Sequence, residues 1–288
     1  MSLAAFLVAT CVPGSEAALP AQPIAAPEPG EEGGTELDGL LERLGRVAGL
    51  YRDSALQFSC DEEVTGTGLA AAPYRFEYIY VYSPSQGLKD YRTVPGARHP
   101  REVDPGAYRI PQFLRRAYSW AFVFGADARQ HHQYAIAGED DALGRAALKV
   151  TFEPIPPFRR DVNEWFGTAW VDRETFQILK VEALHEEQRK QKEFEAELAS
   201  PPAERARRKR YPIERVTTEF SVEKNGMRFP GKVTIALSEF VVPGEGGSAP
   251  FDQTLVYRIE QNYANYRFFS VRTRDEIRAL VSGASRPE

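Results

Sequence analysis

The sequence predicts an α+β protein, mainly antiparallel β: a curved, half-open β-barrel of about ten strands in meander order. An N-terminal amphipathic helix and a short internal helix would cover its concave face. Three observations predict this. Segments with a period of two follow one another, joined by turn sequences, with no alternation of strand and long helix. One apolar stripe at helical spacing stands ahead of them and needs a sheet to pack on. Finally, the 288 residues carry 13 Tyr and 17 Phe against 3 Trp, a composition that favours strands.

The N-terminus, "MSLAAFLVATCVPGSEAALPAQP", reads as an export signal over 1–17 that lacks its basic leader. Its apolar part, Leu3 to Val12, is too short to span a bilayer, and "SEA" offers small residues for cleavage. "LVATC" also resembles a bacterial lipobox, which would make Cys11 a lipidation site, although Thr10 departs from the usual Gly, Ala or Ser. A disordered Ala/Pro-rich tail is the alternative. With cleavage after Ala17, Cys60 has no intramolecular partner and behaves as a small buried hydrophobe.

Residues 18–34 form a Pro/Ala/Gly linker, and a single domain over 35–281 follows, with a polar tail at 282–288. Thr35 and Asp38 make a weak capping box for a helix. Along it Leu37, Leu40, Leu41, Leu44, Val47, Ala48 and Tyr51 share one face. "ALQFSCDEEVTG" and "YRFEYIYVYS" read as the first two strands, and 84–111 reads mostly as loop because of its Pro and Gly. Pro111 opens a short helix bearing Phe113, Leu114, Ala117 and Tyr118. "HQYAIAG" and "RAALKVTFEP" pair around "EDDALG", and "WFGTAWVDRETFQILKVEA" is the clearest hairpin. The charged stretch 185–210 interrupts the rhythm as a solvated excursion. Asn225-Gly226 then marks a type I′ turn, and "QTLVYRIEQNYANYRFFSVRT" closes the series.

Catalytic patterns are absent from the sequence: no G-x-S-x-G, phosphate-binding loop, dinucleotide fingerprint or H-E-x-x-H occurs. The expectation is a protein that is not an enzyme and uses neither cofactor nor metal. Adjacent His131 and His132 would point to opposite faces of a strand and rarely reach one ion. "DEE" at 61–63 and "EDD" at 139–141 read as solvated strand ends, and "GEGG" at 244–247 as a flexible loop. A net charge of -5 argues against a nucleic-acid partner.

The apolar pattern itself is what remains. Tyr74, Phe76, Tyr78, Tyr80 and Tyr82 line one face of their strand, and with Phe166 and Trp170 they are the expected apolar lining of a ligand-binding concavity. Tyrosine hydroxyls want partners when buried, so such a row suits a half-wet cavity for a greasy ligand. A core-facing or surface aromatic ladder is the competing reading.

Together, "GTAWVDRETFQILKVEA", "VEKNGMRFPGKVTI" and "YRIEQNYANYRFFSVRT" resemble hairpins of the LolA-like family of outer-membrane lipoprotein-sorting proteins. The resemblance runs over roughly 36–280, with the same order of elements. It implies a half-barrel that shields acyl chains, in the periplasm or anchored to the outer membrane through Cys11. The partner would be lipid or a lipid-modified protein, with peripheral membrane contact. An envelope protein-interaction module using a sheet face or edge, with no small ligand, is the alternative.

Overall fold

A computed structural model describes residues 31–52, 57–69, 72–83, 87–96, 103, 108, 112–156, 165–185, 196, 199, 209–242 and 252–268. The expected signal, Cys11, the "GEGG" loop, the 282–288 tail and most of the 185–210 excursion lie outside them. Among the described residues no helix is long and apolar enough to cross a membrane.

Helix α1 spans Glu31–Leu50, starting ahead of the Thr35 cap because the backbone is already helical there. Its expected stripe holds: Leu40, Leu44, Val47, Ala48 and Tyr51 are buried, with Leu37 and Leu41 half-buried. Strands β1 (Gln57–Gly66) and β2 (Tyr74–Ser83) follow. Strand β3 (Gly87–Thr93) falls where a loop is expected. Its own pattern is weak, but it folds directly back on β2, with Ser83 opposite Gly87, and takes its ladder from that neighbour. The short internal helix is a 3₁₀ helix, Gln112–Phe122, and one further turn, α2 (Ala126–Arg129), precedes β4.

Strands β4 (His132–Ala142) and β5 (Arg145–Pro154) form the expected hairpin. The turn is tighter than "EDDALG", because pairing continues until Ala142 meets Arg145. Only Leu143 and Gly144 are left to turn the chain, at φ 51° and 72°. That is the type I′ conformation, which disfavours a leucine. Leu143 is exposed, so little packing offsets the strain. Leu143→Asn is therefore expected to stabilise the domain by about 1 kcal/mol, seen as a higher urea midpoint at unchanged slope.

The remaining strands are β6 (Trp165–Asp172), β7 (Ile178–His185), β8 (Lys209–Glu219), β9 (Val222–Lys224), β10 (Met227–Phe229), β11 (Lys232–Val242) and β12 (Asp252–Phe268). Ten of them make one antiparallel sheet in the order β3-β2-β1-β12-β11-β8-β7-β6-β5-β4. The sheet is open, with β3 and β4 at its edges, as the half-open barrel requires. Adjacent strands of the sheet are consecutive in sequence except at two junctions, β1–β12 and β8–β11.

The β8–β11 junction exists because the Asn225-Gly226 hairpin leaves the sheet. Asn225 and Gly226 adopt φ 53° and 79°, the predicted type I′ turn, and β9–β10 forms a separate two-stranded ribbon. The chain departs after Glu219 and returns at Gly231, whose N–H donates to Glu219 O at 2.8 Å. A Cβ on Gly231 would lie 1.9 Å from Ser221 Oγ and 3.3 Å from Val222, so a larger residue would close this neck only with Ser221 turned away. Gln177, in the β6–β7 turn, fastens the ribbon. Its Nε2 donates to Gly226 O at 3.0 Å, and its Oε1 accepts from Arg228 N at 2.8 Å. Tyr51 of α1 donates to Arg228 O at 2.5 Å.

One sheet face is charged and wet over β2, β1, β12 and the adjoining part of β11. Arg75–Glu63, Arg267–Asp61, Arg267–Glu77 and Lys232–Glu260 pair across it. The other, inner face is apolar, and α1, the 3₁₀ helix and the β9–β10 ribbon bury it in one core.

Candidate ligand-binding face

The inner face is densest in aromatics where β2, β1 and β12 lie side by side. Alternation turns Phe58, Cys60, Glu62 and Val64 of β1 inward, and Phe76, Tyr78 and Tyr80 of β2 with them; all are buried. Tyr74 is half-buried at the end of the row, and the Tyr82 side chain lies outside the described residues. Phe58 is the hub, with Tyr80, Tyr118, Tyr266 and Phe229 rings at 5.5, 4.7, 5.3 and 5.9 Å.

Strand β12 needs a correction of phase to join in. Tyr263 and Tyr266 are three residues apart and would face opposite sides of a regular strand. The register against β1 shifts between Ser59 and Asp61, and Asn265 takes φ 55°. This bulge returns Tyr266 to the inner face. Asn265 suits the left-handed conformation and donates to Asp61 Oδ2 at 2.8 Å. In physical terms, this is what the "YANYRF" phrase encodes.

The sequence-expected residues do not all meet. Trp165, Ala169 and Val171 of β6 face inward, so Phe166 and Trp170 point to the outer face. Phe166 packs there with Leu184, Tyr211, Ile213 and Val242. Trp170 lies under Lys180 at 4.3 Å and donates Nε1–H to Asp140 at 3.0 Å. They are on the opposite side of the sheet from Tyr78.

Inside the aromatic face sits a polar group of residues. Glu62 is buried and receives Arg92 Nε and, at 2.7 Å, Arg92 Nη2. Gln261 Nε2 donates to Glu62 Oε1 at 2.5 Å and the Tyr263 hydroxyl at 3.0 Å. The Arg92 guanidinium lies 5.1 Å from the Tyr78 ring centre, a cation–π contact. Burial alone would favour neutral Arg92, but Glu62 outweighs it and holds the guanidinium charged. Nearby, Tyr118 donates to Tyr266, which donates to Pro230 O at 2.5 Å. Burial pushes Tyr263 and Tyr266 well above the usual tyrosine range, and for Tyr263 the neighbouring Glu62 carboxylate adds to it. Cys60 is raised by burial and by Glu62, which leaves an unreactive thiol.

Of the polar residues, Glu62 is expected from the sequence to be solvated with its neighbours; the signal against that is its place among Phe58, Cys60 and Val64 on one side of β1. The expectation that "DEE" is solvated holds for Asp61, which is exposed, and not for Glu62. Arg92 carried no signal, since its strand is hidden in a loop-like stretch. His132 is buried with Nδ1 3.1 Å from Ala128 O. Among the described residues no three His, Cys, Asp or Glu side chains gather to hold a metal. Burial lowers the His132 pKa from 6.5, against the pull of the Ala128 and Trp165 backbone. A lowered folded value means that the unfolded chain binds the proton first. Stability is therefore expected to fall as pH drops through about 6.5, and His132→Phe should flatten that part of a urea-midpoint profile.

No family model matches the sequence, and no curated protein matches it. Among solved structures the chain is similar to a DUF1329 family protein from Desulfovibrio piger, at 9% identity and TM-score 0.40, over 83% of this chain and 96% of that one. It is also similar to a LolA superfamily protein from Nitrosomonas europaea, at 11% identity and TM-score 0.38, over 83% and 96% of the two chains.

Proposed function

We propose that the chain is an exported envelope protein that holds lipid, or the acyl chains of a lipid-modified protein, against its inner face without catalysis. One observation carries this reading. The aromatic inner face is closed by α1, the 3₁₀ helix and the β9–β10 ribbon, held by packing and a few hydrogen bonds, while none of these three belongs to the ten-stranded ladder. Pieces outside the ladder can move without breaking it. An acyl chain replacing them gains about 0.8 kcal/mol per buried methylene, so a few chains suffice for tight holding. The sequence resemblance to the LolA-like family supports the same reading, with residues 1–17 as an export signal cut after Ala17 or, if the cut falls before Cys11, that cysteine as a lipid anchor.

Protein purified from its native envelope should carry lipid, identified by mass spectrometry of the extracted fraction. A lipid-free protein that also fails to bind acyl probes would overturn the reading. Acyl labelling at Cys11 tests the anchor separately.

A second reading rests on β12. This strand begins at Asp252, but β1 pairs with it only from Ile259 onward. Leu255 and Val256 there are 54% and 49% exposed. An extended segment of a partner protein could add to this edge. Leu255→Lys should then abolish partner recovery and leave bound lipid in place.

A further inference from the structure

We propose that Arg92, Gln261 and Tyr263 form a receptor for the carboxylate of a fatty acid, which Glu62 occupies while the inner face is closed. This rests on the acyl-binding reading and adds a head group to it. A single buried carboxylate collects donors from two other strands: Arg92 Nε and Nη2 from β3, and Gln261 Nε2 and the Tyr263 hydroxyl from β12. The guanidinium meets the carboxylate through two nitrogens, the arrangement that selects a planar carboxylate. Glu62, Arg92, Gln261 and Tyr263 are all buried; Phe76 stands opposite Glu62 on β2, and the Tyr78 ring meets both Arg92 and Tyr263.

As a device for stability this is an expensive choice. An ion pair withdrawn from water recovers little beyond its desolvation cost, and apolar residues of similar size often do better. As a binding site it is coherent. A guanidinium and two neutral donors aimed at one carboxylate, beside aromatic rings, match a fatty acid: head on the guanidinium, chain along the rings.

The exchange conserves charge. A fatty acid enters in its neutral form, gives its proton to Glu62, and takes the place of the Glu62 carboxylate on Arg92. One O–H bond breaks on the ligand and one forms on Glu62. The core holds one carboxylate, one guanidinium and one neutral acid throughout.

The test compares decanoic acid with methyl decanoate, below micelle-forming concentrations, by calorimetry on the full chain. Wild type, Glu62→Gln and the double variant Glu62→Met/Arg92→Met are used. The acid should bind wild type more tightly than the ester. Glu62→Gln mimics the protonated glutamate and leaves the guanidinium to the ligand, so the acid-to-ester ratio should rise about tenfold. In the double variant the ratio should fall to near one. Thermal melts of wild type read the same preference without any substitution, as a larger Tm increase with the acid. Equal binding of acid and ester in wild type, unmoved by Glu62→Gln, overturns the receptor and leaves the acyl-binding reading standing. Failure of both compounds to bind any of the three proteins overturns that reading and the receptor with it.

Discussion

Tyr78→Asp is expected to unfold the domain rather than thin out a binding surface. Tyr78 is fully buried, stacks on Tyr118 at 5.9 Å and meets Tyr263 edge-on at 5.5 Å. The substitution removes an aromatic ring and puts a carboxylate among rings. Arg92 lies close enough to attract the new charge, but Glu62 already holds it in two-point contact. A third charged group there cannot be matched. The loss should exceed about 4 kcal/mol, a large part of the 5–15 kcal/mol typical of a domain. Circular dichroism and urea titration check it. A folded Tyr78→Asp protein of near wild-type midpoint would mean that the row borders open space. Tyr78→Phe keeps the ring and should cost far less.

Glu62→Ala is the second large effect. Truncation leaves the Arg92 guanidinium buried without its carboxylate and removes the acceptor used by Gln261 and Tyr263. Breaking one side of a buried pair typically costs about 3–5 kcal/mol. The same reasoning predicts non-additivity. Removing both charges, in Glu62→Met/Arg92→Met, abolishes the uncompensated ion and should recover most of that loss. A double variant as unstable as Glu62→Ala would show that packing, not charge, governs this region. Urea midpoints of the single and double variants decide between the two.

Much of the architecture was legible because local rules and tertiary demands agree. The α1 stripe from Leu40 to Tyr51 reads directly, and so does the Asn225-Gly226 turn, where residue type and positive φ coincide. Leu143 was not legible as a turn residue, because a leucine there goes against turn chemistry and is held only by the long β4–β5 ladder. Strand β3 was hidden for a related reason: it is recruited by β2 rather than by its own pattern. The faces of the sheet were legible within a strand but not between strands. Alternation placed Phe76, Tyr78 and Tyr80 together, yet nothing in β6 alone says whether Trp165 or Phe166 shares their side. Register settles that, and register belongs to pairing. The bulge at Asn265 compounds the difficulty by changing phase inside β12. The Glu62–Arg92 pair joins strands 30 residues apart in sequence. Neither half stood out in the sequence, since Glu62 falls in the solvated-looking "DEE" and Arg92 in a loop-like stretch.

The position of β12 beside β1 has a consequence for how the molecule is made. A ribosome delivers β1, β2 and β3 first and β12 last among the described strands, yet β12 is the piece that joins those three to all the others. Until it emerges, the early strands have no neighbour on their inner flank and the two halves of the sheet stay separate. Contacts between distant parts of a chain also form slowly. The β1–β3 group therefore stays unjoined to the rest of the sheet until nearly the whole length has been synthesised, while β4 to β8 and β11 can already pair among themselves.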